Sequence, residues 1–583
     1  MRGAEVLVRM LLEYKVEVIF GVPGDTSLTL YEAIHDALPG IRHVMARDER
    51  SAGFMADAYA RIMCKPGIFE CPSGAGALYS IPGVAEANAS SIPVILFTSD
   101  ISLADEGKGA ITALDHHKLF EPVTKWSSFL KQVEKIPETV RRAFRVATTG
   151  RPGAVHLAFP HEILAGEFSG GAQMIFSETE CVDYPAYRTR GSRKNLEEAA
   201  GYLLESTRPV IIAGGGANHS QAGQEIITLS ELLAAPVVTT ISGQGIMPDD
   251  HPLALGVVGD NGFHPYANQA VEEGDLLLYV GCKRGSVSTI RWTLPSYQPT
   301  RKIIQIDLDP VQLSNNFANT VDIAGDARLV LTDLIQLLKQ EGSARKPSPW
   351  VGELNRTRVR FWEESRAALN SPAVPIKPQR IIHELNQRLP SPAIVIADAG
   401  TPTPYITRFL KLQGGGSRFL IPRAFGGLGY AIPAVVGAAF ASPGTRVVGL
   451  FGDGSLGMAA GELETLVRLN IPAVLIHFNN GSFGWIKALQ ALHCKGKFLS
   501  VDFTAGNMAR VAEGFGLKAF HIGTPQELEK GLDEAFNARS PVFLDVVTES
   551  ELSELPPVYS WLKKAEETGR NPLPPCGGAA KQE

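Results

Sequence analysis

The chain has 583 residues, far too many for one hydrophobic core, and this length predicts three or four compact units. Hydrophobic residues make up 44% and charged residues 20%, which excludes a disordered or collagen-like chain, and no apolar run is long enough for a membrane span. The formal charge of −6 is spread without blocks of like charge, so nucleic acid and anionic lipid are not expected partners.

The six cysteines are scattered and form no CxxC pair. We therefore expect neither a disulfide scaffold nor a zinc site. The N-terminal residues run directly into a helix-then-strand pattern and lack the basic, apolar and small-residue regions of a secretory signal. Both observations favour a cytoplasmic location.

Short apolar runs that end in Gly or Asp recur along the chain, and each is followed by helical periodicity. They are VEVIFGVPGD, AIVIADAG, VVGLFGDGS and PAVLIHFNN, with similar runs in the middle of the chain. Continuous apolar strands that alternate with helices are typical of parallel sheets covered on both faces. The sequence therefore predicts an α/β protein built from doubly wound parallel sheets.

Two polar stretches, at 165–195 and 340–378, divide the chain into three. Beyond residue 550 the composition becomes rich in Pro, Gly and charge, which indicates an arm whose end is partly disordered. We expect an N-terminal domain at 1–170, a central domain at 190–340, a C-terminal domain at 375–550, and a tail or lid at 551–583.

Two polar, glycine-rich stretches end neighbouring apolar runs in the third segment. VVGLFGDGS places Asp453 at the end of one strand, a helix of about four turns is expected next, and IPAVLIHFNN ends the following strand at Asn480. The two strands of a right-handed βαβ unit finish at the same edge of a sheet, so both side chains can face one bound group.

The chemistry of these side chains favours Mg²⁺ and a diphosphate. The Asp453 carboxylate, the Asn480 amide oxygen and the Ser482 carbonyl form a set of hard oxygen ligands that leaves positions for phosphate oxygens. Close phosphate approach is expected at three residues beside the helix start: Gly452, Gly454 and Ser455. Taken singly, both stretches can also be ordinary turns.

Taken together, GDG and NN at this spacing resemble the thiamin diphosphate (ThDP) motif. Nearer the N-terminus, GVPGD and RDERSAGFMADAYAR resemble the pyrimidine-binding domain of the acetolactate synthase, pyruvate oxidase and benzoylformate decarboxylase superfamily. The resemblance puts Glu49 at the catalytic glutamate, whose carboxyl group bonds the cofactor's aminopyrimidine ring and promotes loss of the thiazolium proton. Otherwise Glu49 is a surface residue that suits a helix start.

Further family positions are implied by the same resemblance. RAFGGLGYAIP places Leu428 where a bulky apolar side chain bends the cofactor, although such a leucine is otherwise simply core. ADAGTPT places Gly400 and Thr401 at the diphosphate end. PVIIAGGGANHS resembles the central domain, which binds FAD in some members, but His219 stands where GxGxxG requires glycine. FAD is therefore possible but not favoured.

The substrate-facing positions match no single member of the superfamily. LDHHKLF stands where acetolactate synthases have Phe-Gln-Glu, so His116 and His117 replace the region of the glutamine. Asp25 resembles the acidic residue of pyruvate decarboxylases, yet Ile486 stands where those enzymes have a glutamate. Asp25, His116 and His117 are candidate catalytic residues, although a histidine pair in a polar loop is commonly structural.

The resemblance implies an enzyme that decarboxylates a 2-oxo acid and joins the resulting unit to an aldehyde or ketone acceptor, hence a lyase or transferase. Two alternatives stay open: a simple decarboxylase of a bulkier or aromatic 2-oxo acid, and a non-catalytic regulatory protein with the same fold. In this family the site combines the first domain of one subunit with the third of another. A homodimer is therefore the expected minimum, and a homotetramer is plausible.

Overall fold

The computed structural model describes residues 1–342, 345–346, 348–413, 417–504 and 506–569. Their strands form three six-stranded sheets, and the strand pairs with a defined register run parallel, which confirms the expected α/β class with doubly wound parallel sheets. Within the described residues, no helix combines the length and apolarity needed to span a bilayer.

The first sheet has the strand order β2-β1-β3-β4-β6-β5. Its strands are β1 (Val18–Gly21), β2 (Arg42–Met45), β3 (Gly67–Cys71), β4 (Val94–Asp100), β5 (Trp126–Phe129) and β6 (Val155–Pro160). The helices are α1 (Gly3–Glu13), α2 (Leu28–Asp36), α3 (Glu49–Met63), α4 (Ala75–Ser90), α5 (His116–Phe120), α6 (Ile136–Thr148) and α7 (His161–Ala165). Strands β3, β4 and β6 are buried along their whole length, as continuous apolar strands between two helical layers require.

The second sheet has the order β12-β11-β10-β7-β8-β9. Its strands are β7 (Pro209–Ala213), β8 (Val237–Thr239), β9 (Ala254–Val257), β10 (Leu276–Val280), β11 (Lys302–Asp307) and β12 (Val321–Ala324). Its helices are α8 (Arg193–Glu205), α9 (Gly215–His219), α10 (Gly223–Leu233), α11 (Pro265–Glu273), α12 (Ala327–Gln340) and α13 (Pro349–Leu369).

The third sheet has the order β14-β13-β15-β16-β18-β17. Its strands are β13 (Ala393–Ala397), β14 (Arg418–Leu420), β15 (Arg446–Gly452), β16 (Val474–Asn479), β17 (Lys518–Ile522) and β18 (Val542–Val547). The helices are α14 (Pro378–Arg388), α15 (Pro402–Phe409), α16 (Ala431–Ala441), α17 (Asp453–Ala459), α18 (Glu462–Arg468), α19 (Gly484–His493), α20 (Ala509–Gly514), α21 (Pro525–Asn537) and α22 (Tyr559–Glu567).

Two segments differ from their sequence-based expectations. The four-turn helix expected after Asp453 is two shorter helices, α17 and α18, because the chain turns at Gly461 before the Glu462 carboxylate accepts a hydrogen bond from the Arg47 amide. The expected loop-like tail contains α22, whose Trp561 is buried against α19. The end of that tail, 570–583, lies outside the described residues.

By internal packing the chain divides into two units. One comprises Met1–Tyr187, Pro422–Val447 and Gly457–Ile471, and the other comprises Arg188–Ile421, Val448–Leu456 and Pro472–Glu583. The first unit therefore holds the first sheet together with helices α16 and α18, and the second holds the central sheet and most of the third.

Helix α3 is packed closely on two sides within the first unit. A Cβ at Gly437 of α16 would overlap the Met55 carbonyl oxygen of α3, and a Cβ at Gly53 would lie 2.9 Å from the Gly83 Cα of α4. Glycine at these positions lets the helix backbones approach more closely than any side chain would allow. The first residue of α3 is Glu49, so this packing also fixes the candidate catalytic carboxyl group.

We expect Gly437→Ala to lower the thermal unfolding midpoint by several degrees, because the added methyl group forces α16 away from α3 at a cost of about 1–3 kcal/mol. Circular dichroism during heating measures the change. Gly201→Ala in α8 is the matched control, since a Cβ there meets nothing within 4 Å. That variant should melt at or slightly above the wild-type temperature. Equal melting of Gly437→Ala and the wild type would contradict the packing argument.

Candidate functional site

The carboxyl ends of β15 and β16 bring the two predicted metal ligands together. The strands are parallel, with Gly452 opposite Phe478, so Asp453 and Asn480 follow the two strand ends side by side. The backbone N–H of Asn480 donates a hydrogen bond of 3.1 Å to Asp453 Oδ2. Both side chains can therefore contact one bound group, as the spacing of the two motifs predicts.

The Asn480 side chain is held in one orientation by its neighbours. Its Nδ2 donates to Glu551 Oε2 over 2.8 Å, and its Oδ1 accepts hydrogen bonds from the amide and hydroxyl of Ser482 at 3.3 and 3.2 Å. A Cβ at Gly484 would lie 2.6 Å from Thr401 Oγ1 and 2.9 Å from Asn480 Nδ2. Glycine at 484 therefore lets three segments of the chain meet around the amide.

Glu551 is a site residue that the sequence reasoning missed. Only 3% of it is exposed, its Oε1 has no hydrogen-bond partner among the described residues, and burial raises the pKa of its carboxyl group. It lies in a segment that composition assigns to the tail, so no local motif marks it. Its role becomes visible only through the hydrogen bond to Asn480.

A second missed feature lies behind Asp453 within the sheet. His477 of β16 places Nε2 3.5 Å from Asp453 Oδ1 and Nδ1 2.9 Å from Asp545 Oδ1 of β18. Asp545 also accepts hydrogen bonds from Asn479 Nδ2, His521 Nδ1 and the Met508 amide. The available sequence signal is a polar residue within each of two apolar strands, VLIHFN and VFLDVV.

This network controls protonation at the sheet edge. Burial raises the pKa of Asp545, but the hydrogen bond and charge of His477 and the further hydrogen bonds outweigh it and hold that pKa at about 2. Burial lowers the pKa of His477, yet Asp453 and Asp545 together raise it above its ordinary value. The network therefore favours a charged imidazole that orients the Asp453 carboxylate.

The residues predicted to contact a diphosphate surround the same strand ends. Gly400 has a φ of +128°, which favours glycine, and Thr401 follows it at the start of α15. A Cβ at Gly452 would have no neighbour closer than 3.8 Å, so the strand end is open. Gly454 and Ser455 lie in α17, and the buried Ser455 Oγ has no hydrogen-bond partner among the described residues.

This donor set fits a magnesium diphosphate better than a metal ion held by protein alone. Across the described residues, no group of three or more His, Cys, Asp or Glu side chains could hold a metal ion. The ends of β15 and β16 offer one carboxylate, one amide oxygen and backbone carbonyls. Protein-bound Mg²⁺ usually has few protein ligands and completes its coordination with phosphate oxygens and water, so this set fits. The unpartnered Ser455 hydroxyl supplies a donor for such an anion.

In the other unit, Glu49 begins α3 just beyond the end of β2. Asp48 caps the helix by accepting a hydrogen bond of 2.8 Å from the Ser51 amide, and Glu49 is the first residue of the helix. The Glu49 side chain is buried, and a Cβ at Gly76 would lie 3.0 Å from its Oε1. Burial raises the pKa of this carboxyl group, and the charges of Asp48 and Glu70 raise it further.

The loop that carries Asp25 lies at the same edge of the first sheet. Thr26 Oγ1 contacts Ser99 Oγ of β4 at 3.1 Å and accepts a hydrogen bond from the Ser73 amide after β3. The Asp25 side chain is exposed and bonds the amide of Thr26. A Cβ at Gly24 would collide with Pro72, so the loops after β1 and β3 are in close contact.

The two candidate histidines differ in environment. His116 is buried at the end of β4, with Nδ1 2.9 Å from Thr98 Oγ1 and 3.6 Å from Asp100 Oδ2. Burial lowers its pKa to about 4, so the ring is neutral at pH 7. His117 is exposed, and its Nδ1 lies 3.1 Å from Ser127 Oγ.

Leu428 is half-buried in the loop that precedes α16. The adjacent Gly429 has a φ of +85°, and a Cβ there would lie 3.0 Å from Met458 Cβ. Helix α16 packs on α3 within this unit. The loop that presents Leu428 and the helix that presents Glu49 thus belong to one packed unit.

In the central sheet, the glycine run after β7 serves packing. A Cβ at Gly214 would overlap the Gly281 carbonyl oxygen, and a Cβ at Gly216 would lie 2.9 Å from the Gly281 Cα. These glycines let the chain after β7 approach the chain after β10. Close packing within the protein therefore explains these glycines, and they do not by themselves indicate a bound dinucleotide.

Three family models match the chain. They are described as the N-terminal TPP binding domain, the central domain and the C-terminal TPP binding domain of thiamine pyrophosphate enzymes, and they match residues 1–119, 196–334 and 398–546. The matches agree with the motifs that carry the resemblance to ThDP enzymes in the sequence.

The chain is also similar to curated proteins along nearly its whole length. It is 34% identical to a probable acetolactate synthase large subunit of Methanococcus aeolicus, over 96% of this chain and 94% of that protein. It is 35% identical to the corresponding protein of Methanocaldococcus jannaschii, over 94% and 92%. Identity to the acetolactate synthase isozyme 3 large subunit of Escherichia coli is 31%, over 97% and 99%.

We expect Asp545→Asn to lower the free energy of unfolding by about 2 kcal/mol at pH 7, the value of a shift from 3.8 to about 2. Because the folded-state pKa is lowered, this contribution is present above pH 3.8 and disappears as the pH falls toward 2. Urea unfolding at pH 7, 4 and 3 measures the difference from the wild type. A difference that grows as the pH falls would contradict the assigned network.

Proposed function

Because the chain belongs to the family of thiamine pyrophosphate enzymes that includes the acetolactate synthase large subunits, we propose that it joins a unit derived from a 2-oxo acid to an acceptor aldehyde or ketone. The chain is a ThDP-dependent enzyme of decarboxylation and carboligation, and its substrate is a small 2-oxo acid. The observation that carries the proposal is the placement of Asp453 and Asn480 side by side at two parallel strand ends.

In this proposal the second unit holds the phosphate end of the cofactor. Asp453, Asn480 and the Ser482 carbonyl are the Mg²⁺ ligands, and the proposed diphosphate contacts are Gly400, Thr401, Gly452, Gly454 and Ser455. Glu551 fixes the Asn480 amide, so its oxygen is presented to the metal. FAD is not part of the proposal, because the glycine run of the central sheet packs against its own chain.

Glu49 is proposed to act at the other end of a cofactor that is held by a second subunit. When bound, ThDP would supply a nucleophilic carbon and an electron sink for the loss of CO₂ from a 2-oxo acid. Burial keeps the Glu49 carboxyl group protonated to higher pH than an exposed one, so it can donate a hydrogen bond from its O–H and recover the proton. Leu428 supplies an apolar surface that shapes the bound cofactor.

Asp25 and His116 are proposed to face the substrate, since both lie at the carboxyl edge of the first sheet with Glu49. A neutral His116 can orient a carbonyl oxygen or supply a proton, and Asp25 can accept a hydrogen bond from a hydroxyl group. His117 is assigned an indirect role, because its ring is exposed and contacts Ser127. This set of substrate-facing residues differs from that of acetolactate synthases. Simple decarboxylation is therefore kept as the second candidate function.

The remaining assignments rest on the family and on composition. We propose domains at 1–170, 190–340 and 375–550, followed by the segment at 551–583, and each domain contains one of the three sheets. We also propose a homodimer as the minimum active assembly, with a homotetramer as an extension, and a cytoplasmic location.

Product analysis tests the proposed reaction. The enzyme with ThDP and Mg²⁺ is given pyruvate or benzoylformate, with and without an added aldehyde, and CO₂ and organic products are measured. We expect a joined product such as acetolactate or acetoin to exceed free aldehyde. Free aldehyde alone would support simple decarboxylation and overturn the carboligation proposal.

Glu49→Gln is the control variant for that assay. It should lower release of CO₂ from every active substrate by about 100-fold or more, because an amide cannot cycle a proton as a carboxyl group does. Unchanged turnover in this variant would contradict the role of Glu49.

We expect Asp453→Asn to weaken binding of ThDP in the presence of Mg²⁺ by at least about tenfold, because one anionic metal ligand is lost. Titration calorimetry measures the affinity. Asp533→Asn is the control, since Asp533 is an exposed carboxylate of α21 that pairs with Arg388. Wild-type affinity in Asp453→Asn would refute the metal assignment.

A further inference from the structure

Each turnover of the proposed reaction consumes one proton. Release of CO₂ from R–CO–COO⁻ yields R–CHO only if one H⁺ is taken up. Joining the same unit to an aldehyde R′–CHO yields R–CO–CH(OH)–R′, and this equation also requires one H⁺. A site that excludes water therefore needs a route along which a proton reaches it.

A continuous chain of side-chain hydrogen bonds crosses the first unit. His117 Nδ1 lies 3.1 Å from Ser127 Oγ, which lies 2.9 Å from His156 Nδ1. On the other side of that ring, His156 Nε2 lies 2.9 Å from Thr98 Oγ1, which lies 2.9 Å from His116 Nδ1. We call these five residues the histidine relay.

The relay has one end at the surface and the other in the interior. His117 is exposed, whereas the other four residues are buried. At the inner end, His116 Nε2 is buried and has no hydrogen-bond partner within the described part of the chain. Leaving a buried polar atom unpartnered is costly, so this atom points to a ligand that completes it.

We propose that the histidine relay carries a proton from solvent at His117 to His116 Nε2, where it is delivered to the reacting substrate. The inference rests on the proposed function for the identity of the acceptor. The hydrogen-bonded path itself rests only on the five side chains. His156, Thr98 and Ser127 act through His116 and are positioning residues.

The two hydroxyl groups make the relay directional. Each hydroxyl has one proton, so it donates to one imidazole and accepts from the other. With neutral rings, the four hydrogen bonds therefore have two consistent orientations. In one, His116 carries its proton on Nε2 and can donate it, and in the other it carries the proton on Nδ1.

A transfer converts the first orientation into the second. His116 gives its Nε2 proton to the substrate and takes one at Nδ1 from Thr98, which takes one from His156 Nε2. His156 Nδ1 takes the Ser127 proton, and Ser127 takes one from His117 Nδ1. His117 Nε2 binds a proton from solvent, so one proton enters and one leaves. Restoring the first orientation requires both hydroxyl groups to rotate and each imidazole to lose the proton from one nitrogen and bind a proton at the other.

The charges around the inner end favour neutral rings. Burial lowers the pKa of His116 to about 4 and that of His156 well below its ordinary value. Burial also raises the pKa of Asp100 to about 6, with Glu106 and Asp115 adding to the increase. The carboxylates that face the inner end are thus Asp100 from β4 and Asp115 at the start of α5, with Glu106 in the intervening loop.

Thr98→Val tests the relay, because it removes one hydroxyl group and preserves the shape of the side chain. In the holoenzyme, with pyruvate or benzoylformate as the substrate, we expect kcat for CO₂ release to fall by about 10- to 100-fold while KM changes less than about twofold. Thr98→Ser retains the hydroxyl and should restore most of the rate. Ser128→Ala, on the neighbouring position of β5 outside the relay, should behave as the wild type.

A second measurement separates proton transfer from packing and needs no turnover. Exchange of the histidine C2 hydrogen, followed by mass spectrometry across pH, reports the titration of each imidazole in the full chain. Thr98→Val should shift the curves of both His116 and His156, whereas Ser128→Ala should shift neither. Coupled shifts with a kcat loss that Thr98→Ser reverses would support the relay.

Wild-type kcat in Thr98→Val, or equal losses in Thr98→Val and Thr98→Ser, would overturn the relay. Unchanged exchange curves at both rings would overturn it as well. If the wild-type enzyme releases no CO₂ from any 2-oxo acid, the proposed function fails instead. The exchange curves then still decide whether the five residues form one hydrogen-bonded path.

Discussion

The parallel register of β15 and β16 is the constraint on which the rest of the candidate site depends. Because Gly452 lies opposite Phe478, β15 and β16 end at one edge of the sheet, and Asp453 and Asn480, which follow the two strand ends, meet there. A shift of one residue would turn one of the two side chains to the opposite face of the sheet. The apolar side chains of both strands are buried, so the register that buries them also brings the two candidate metal ligands together.

The protein holds its buried carboxyl groups in two different ways. Glu49 and Glu551 are buried with few compensating contacts, so burial raises their pKa and favours the protonated form. Asp545 is equally buried but accepts four hydrogen bonds, and it stays ionised. The first arrangement suits groups that exchange or share protons, and the second suits a fixed negative charge that supports a neighbour.

The first sheet shows how polar groups in a buried layer can be connected to one another. Thr98, Ser127 and His156 lie on three adjacent strands, and their hydrogen bonds run across the sheet at right angles to the chain. Each of these groups would be costly to bury alone. Linked together, they satisfy one another, and within the described residues the buried His116 Nε2, at the start of α5, is left without a partner.

The sequence by itself determined the α/β class, the three doubly wound sheets and the ThDP family, because strand periodicity and the GDG and NN motifs are local signals. It also indicated that Asp453 and Asn480 belong together, since one crossover separates them. Local patterns could not show the break between α17 and α18, where Glu462 bonds an amide 415 positions away in the chain. Only the tertiary structure decided that Glu551 holds Asn480 and that His156 lies between Thr98 and Ser127, because each contact joins residues far apart in sequence whose separate surroundings contain no shared pattern.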